Sequence, residues 1–266
     1  MIPLKLGIST CPNDTFIYEH LVAGISHSPF QWQVIYADVQ TLNEMVLHGE
    51  LDVAKVSCGV LPLIENNYRV LSSGGAIGYG CGPLLLSSEA REFNPSQMTQ
   101  LPGENTTAAL LFRYWFENEY NGSSLLTSYD FFDQVYKNLC LKRISQGVVI
   151  HEHRFTWKRD GLRLIQDLGA YFETKTGAPI PLGCTVARQL FSEDLILSIE
   201  KEIQKSIDDA WNRNFLVTPF IKEKAQIEDD SVIEDHIRMF VTDFSYNMGK
   251  KGFDALKELF SIVKKN

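Results

Sequence analysis

The chain has 266 residues, with 33 acidic against 25 basic side chains and a net charge of −8. This balance excludes a nucleic-acid binder working through a basic face and leaves room for a small anion held by local dipoles. The length implies two lobes of roughly 100–150 residues each rather than one core. Five widely spaced cysteines with no Cys-x-x-Cys pair point to a reduced compartment. There is no apolar run near the ~18 residues of a membrane span and no basic-then-apolar leader, so a cytoplasmic protein with no membrane and no nucleic-acid partner is expected.

Residues 5–9 read as a strand, followed by a turn over 10–14 in which Asn13 or Asp14 caps a helix carrying Phe16, Ile17, Leu21 and Val22 and stopping at Gly24. Residues 31–37 form a second strand, and Asp38 caps a helix over 39–48 that Gly49 ends. A third strand covers 52–57, a short helix passes through Leu61 and Ile64, and a fourth strand covers 68–72. Alternating strands and helices predict a mostly parallel sheet covered by helices. The glycine-rich residues 74–83 carry no Gly-Lys-Ser/Thr, and an apolar strand over 84–86 follows where a dinucleotide-binding helix would open. They read as a flexible crossing between lobes.

The second lobe adds a strand at 98–101, a loop at 102–107 feeding a helix over 108–119, an exposed turn around Gly122, and a helix over 131–144. The run Gly147-Val148-Val149-Ile150 is then a buried strand by its β-branched residues. It ends in His151-Glu152, placing an imidazole at the carboxyl end of a strand, where ligands of open α/β sheets gather. A strand over 163–167, a helix over 168–176, a rigid loop through Pro179 and Pro181, and a strand over 182–187 returning to the first lobe complete this part. From Ser192 the chain is helical: Leu195, Ile196, Ile199, Ile203, Ile207 and Trp211 keep a helical stripe, and helices over 218–225, 232–241 and 253–263 follow. The element order is that of an α/β, two-lobed, type 2 periplasmic-binding-protein-like fold with a cleft between the lobes. Residues 1–87 and 188–266 form the first lobe and 88–187 the second.

Ser57 ends a strand, Thr106 and Thr107 open a helix whose unpaired amides suit a carboxylate, and Asn13 sits at another helix start. Convergence of these loops with His151 would build a ligand site. Cys11 has no histidine beside it in sequence and reads as part of a buried turn. His151-Glu152-His153 does not make the zincin pattern, because the fourth residue after His151 is Phe155; with no third ligand in view, no metal is expected. His153 and Arg154 either contact an anionic ligand or sit in a solvated loop. His20, His27, His48 and His236 fall on or beside helices of the first lobe and carry no evident chemistry.

The segments Ser9-Thr10-Cys11-Pro12-Asn13-Asp14-Thr15-Phe16, Lys55-Val56-Ser57, Gly82-Pro83-Leu84, Pro102-Gly103-Glu104-Asn105-Thr106-Thr107-Ala108 and Ile150-His151-Glu152-His153-Arg154-Phe155-Thr156 together resemble the 1,4-dihydroxy-6-naphthoate synthases of the futalosine route to menaquinone. The match runs in order along nearly the whole chain. The resemblance implies a carbon–carbon lyase acting on cyclic dehypoxanthinyl futalosine, a carboxylated small molecule. It would yield 1,4-dihydroxy-6-naphthoate and dihydroxyacetone without a cofactor. It also implies that His151 is the proton acceptor and that Lys55, Val56, Ser57, Thr106 and Thr107 contact substrate. One departure stands out: the family's small acidic run before the histidine strand is replaced by Leu141-Lys142-Arg143-Ile144-Ser145-Gln146-Gly147, which is expected to alter a surface turn. The rival readings are a chorismate dehydratase of the same pathway and a carboxylate-binding protein without chemistry.

Overall fold

The apolar, β-branched runs pair into two sheets, and the helices between them cover both. The structure is a computed structural model, and it describes residues 1–23, 28–89, 92–121, 123–225 and 228–263. The expected helix stop Gly24, His27 and the turn glycine Gly122 lie outside them. In chain order the first elements are β1 (Ile2–Ile8), α1 (Pro12–Val22), β2 (Phe30–Tyr36), α2 (Val39–Leu47), β3 (Val53–Ser57), α3 (Leu61–Ile64), β4 (Tyr68–Val70) and β5 (Ala76–Gly78). Next come β6 (Leu84–Ser87), β7 (Thr99–Leu101), α4 (Thr107–Glu119), β8 (Thr127–Tyr129), α5 (Phe132–Cys140), β9 (Gln146–Val149), α6 (His153–Thr156), β10 (Arg163–Asp167) and α7 (Leu168–Thr176). The chain closes with β11 (Ile180–Arg188), α8 (Glu193–Trp211), α9 (Pro219–Lys224), α10 (Asp230–Phe240), α11 (Asp243–Tyr246) and α12 (Gly249–Val263).

The first sheet has the order β2-β1-β3-β11-β4, with β5 also paired to β11; the second has the order β10-β6-β9-β7-β8. We take each sheet with its covering helices as one lobe. The expected parallel character holds for β2-β1-β3 only. The strand returning from the other sheet, β11, inserts between β3 and β4 and runs antiparallel to both. Sheet membership changes before residue 88 and again before residue 187. Residues 84–87 pair with β9 and β10 in the second sheet, whereas β11 hydrogen-bonds wholly within the first. Part of the glycine-rich crossing is itself a buried strand, β5. Its last glycine is required by close approach: a Cβ on Gly82 would lie 2.3 Å from the Cα of Gly169.

One apolar cluster joins Val56 and Val186 of the first sheet to Leu85 and Val148 of the second, through Phe112 and Trp115 of α4. A second cluster holds α8 and α10 against α1 and β1 through Ile199, Ile203, Ile233, Ile237, Phe16 and Leu6. Ile196, Ile199, Ile203 and Ile207 bury the stripe expected of α8, and its last member, Trp211, meets Phe16 edge-on at 4.8 Å. The atypical segment before β9 is a tight exposed turn with Lys142 at φ 53°. Gln146 closes it from within, donating from Nε2 to Thr99 Oγ1 at 2.9 Å and to Asn94 O at 3.0 Å.

Candidate active site

The two sheets turn the same kind of edge towards each other. In the first, β1 and β3 are parallel and end at Ser9 and Ser57, and antiparallel β11 begins there. In the second, β7 and β9 are parallel and lead into Thr106 and His151, while antiparallel β6 enters through Gly82-Pro83. Ligands of open α/β sheets bind outside such carboxyl ends because the strands stop there and leave backbone groups and loop side chains free. Between the edges lies a recess of about 700 Å³, its open mouth included, bordered by Ser9, Asn13, Asp14, Lys55, Val56, Ser57, Thr106, Thr107, Ile150, His151 and Arg154 among others. All seven residues singled out from the sequence therefore meet at one place, drawn from both lobes.

The side of the recess at Ser57 and Thr107 is a polar cradle. Ser57 Oγ accepts from Thr107 N at 2.8 Å, the two hydroxyls are 3.2 Å apart, and Thr107 Oγ1 donates to Leu182 O at 3.1 Å. Asn43, fully buried and missed by the sequence reading, ties the two sides together: its Nδ2 donates to Asn105 O and its Oδ1 accepts from Ser57 N, both at 3.0 Å. Gly59 makes the approach possible, since a Cβ there would stand 2.5 Å from the carbonyl carbon of Thr106. Thr106 caps α4 by accepting from Ala109 N at 3.1 Å; Thr106, Thr107 and Ala108 line the recess, so the positive end of the helix dipole lies at this end of it.

A buried ion pair also borders the recess. Neither Asn13 nor Asp14 caps α1: Cys11 occupies the N-cap position, without a side-chain bond. Asp14 instead takes Lys55 Nζ at 2.8 Å, Ser9 Oγ at 2.7 Å and Asn13 Nδ2 at 2.8 Å, and Lys55 also donates to Gly74 O at 2.8 Å. The charged carboxylate draws three donors, which a solvent-facing cap would not do. Arg154 also borders the recess, where its guanidinium donates to Gly80 O at 2.8 Å, to Gly82 O, and to Asp167 at 2.8 Å. This pins the second lobe to the crossing segment.

His151 follows β9 with its backbone in the left-handed region, φ 56°. Non-glycine residues rarely adopt this conformation, and it accumulates at functional sites. The Phe132 ring meets the imidazole edge-on at 4.8 Å, and Nδ1 lies 3.5 Å from Cys11 Sγ. Burial against these groups lowers the pKa of His151 to about 4; the charge of Asp14 partly opposes this and that of Lys55 adds to it. The ring is thus neutral at physiological pH and carries one free basic nitrogen. The two residues after His151, Glu152 and His153, do not border the recess. His153 stacks on Tyr136 at 3.8 Å, so the two histidines do not present a shared metal face. Glu152 is turned inward, 3% exposed, with Oε2 unpartnered, and burial raises its pKa to about 7.

Two α/β lobes with a recess between their strand ends, bordered by a hydroxyl cradle and a neutral imidazole, define the class of fold to which the chain belongs. Solved structures share the fold. Protein AF1704 from Archaeoglobus fulgidus superposes with a TM-score of 0.91 at 23% identity, over 99% of this chain and 97% of that one. The ligand-binding component of an ABC-type import system from Staphylococcus aureus reaches a TM-score of 0.72 at 13% identity, over 100% and 92%. The chain belongs to the menaquinone-biosynthesis family, whose model matches residues 4–265. It is similar to the 1,4-dihydroxy-6-naphthoate synthase of Streptomyces coelicolor, 34% identical over 97% of this chain and 92% of that protein. It is likewise similar to the synthase of the same name from Thermus thermophilus, 33% identical over 98% and 94%.

Proposed function

We propose that the protein is a carbon–carbon lyase that converts cyclic dehypoxanthinyl futalosine to 1,4-dihydroxy-6-naphthoate and dihydroxyacetone, with His151 as the proton acceptor. The observation that carries this reading is the meeting of His151 with Asn13, Lys55, Val56, Ser57, Thr106 and Thr107 around one recess, in a chain about one-third identical to two synthases of that name. Cleavage needs a base at the reacting centre and donors where negative charge gathers on oxygen. A neutral imidazole meets the first need at physiological pH. The hydroxyls of Ser57 and Thr107 and the first turn of α4 meet the second, and they also suit the substrate carboxylate. Formation of the aromatic ring supplies driving force. No cofactor is required by this route.

Among the described residues no helix is long and apolar enough to cross a membrane, and all five cysteines are free; both fit a cytoplasmic enzyme using a small carboxylated substrate. The test is to incubate the protein separately with cyclic dehypoxanthinyl futalosine and with chorismate and to follow naphthoate by its absorbance. Naphthoate from the first substrate alone is the expected result. Turnover of chorismate, or binding of the futalosine derivative without any product, would overturn the proposal in favour of a dehydratase or a simple binding protein.

A further inference from the structure

The contact between Cys11 and His151 spans 140 positions of sequence and joins the two lobes, with Sγ 3.5 Å from Nδ1. Cys11 is held firmly. It sits between β1 and α1, its N–H donates to Ser9 Oγ at 3.2 Å, and its carbonyl accepts from the amides of Asp14 and Thr15, both at 3.0 Å. Burial, with the charges of Glu152 and Asp14, pushes the thiol pKa well above its ordinary value. The sulfur is therefore a protonated thiol, neither a nucleophile nor a charged partner.

A neutral imidazole has one donor and one acceptor nitrogen, and whatever Nδ1 does decides the state of Nε2. Among the described residues no protein group bonds Nε2, and the ring borders the recess. We propose that Cys11 is the positioning residue for His151: its sulfur accepts Nδ1–H and leaves Nε2 unprotonated towards the substrate. This rests on the reading of His151 as the base. A carboxylate at Nδ1 would orient the ring equally well but would raise its basicity. A thiol is both a weak donor and a weak acceptor; in the accepting arrangement proposed here it holds the Nδ1–H tautomer and, being uncharged, leaves the ring neutral. Because the partners belong to different lobes, the base is correctly oriented only when the lobes meet as they do here.

The test combines nitrogen-15 NMR of histidine-labelled protein with steady-state kinetics, on the wild type, Cys11→Ala and Cys11→Ser. The His151 signals are identified by their loss in His151→Asn. In the wild type near neutral pH, His151 should be protonated at Nδ1 and not at Nε2. Cys11→Ala should shift the population towards the Nε2–H form and lower kcat roughly ten- to a hundredfold, as loss of an orienting partner does, with KM nearly unchanged. Cys11→Ser, whose oxygen can accept the same proton, should retain the wild-type tautomer and most of the activity. An Nε2–H tautomer in the wild type, or identical tautomer populations in wild type and both variants, would overturn the assignment. Should Cys11→Ala not fold, the wild-type tautomer and the behaviour of Cys11→Ser still decide it. Absence of lyase turnover in the wild type counts against the proposed reaction, not against this contact, because the tautomer is read without substrate.

Discussion

Lys55 Nζ lies 2.8 Å from Oδ1 of Asp14, and both side chains are almost sealed from solvent, at 5% and 6% exposure. The pair joins β3 to the first turn of α1 and forms one wall of the recess. Two desolvated charges gain little over a well-packed apolar pair, but removing one leaves the other buried and uncompensated. Lys55→Met strands a carboxylate, and Asp14→Asn strands an ammonium. Each should cost roughly 3–5 kcal/mol, read as a lower midpoint in denaturant titration, while the double variant should recover part of the loss. A midpoint equal to wild type in both single variants would mean that the pair does not support the wall.

His151→Ala or His151→Asn should lower kcat by about 10²–10⁴, the range for loss of a positioned base, with ligand affinity retained. Single-turnover kinetics and calorimetric binding separate the two quantities. Near-normal turnover in either variant would remove His151 from the chemistry.

Ser57→Ala removes the acceptor of the Thr107 amide, and Thr107→Val removes the hydroxyl that donates to Leu182 O. With roughly 0.5–1.5 kcal/mol per hydrogen bond, each should weaken binding of the carboxylated substrate about two- to tenfold. Unchanged dissociation constants in both would leave the cradle without a role in binding.

The pH profile has a definite sign. His151 acts as a base when neutral, and its pKa is lowered from the ordinary 6.5 to about 4, so the active form persists until pH falls towards about 4. The pH profile of kcat/KM should be level from neutrality down to mildly acidic pH and should drop only well below 6.5. An acid limb centred at 6.5 would show that the imidazole is not desolvated in the free enzyme.

Glu152 titrates in the opposite sense. Its folded-state pKa is raised from 4.5 to about 7, so the folded chain holds a proton that the unfolded chain loses across that window, and stability falls as pH rises through it. Glu152→Gln removes this dependence. The variant should gain on wild type with rising pH, by up to roughly 3 kcal/mol at pH 8 given about 1.4 kcal/mol per pKa unit. Melting curves at pH 5 and pH 8 test this, and an equal difference at both would contradict a buried, unpaired carboxyl.

Much of the local structure was legible because its causes are local. Asp38 accepts from Gln40 N and caps α2, Thr106 caps α4, and the four-residue spacing of α8 buries its isoleucines, all as their chemistry required. Short elements escaped. Three-residue β5 and β8 have no pattern long enough to see, and they exist because β11 and β7 offer them partners. The sheet that β6 joins was not legible for a related reason: an apolar run says that a strand is buried, not which edge it joins.

The sequence on its own determined which segments become strands and helices, and that an imidazole would end a buried strand. Those properties follow from side-chain period, caps and β-branching within a few residues. The tertiary structure alone decided that Asp14 would serve Lys55 rather than a helix end, that Asn43 would link Ser57 to Asn105, and that Cys11 would face His151. These pairings join residues far apart in the chain. They arise only when the carboxyl edges of two sheets are packed together, and no local propensity encodes that.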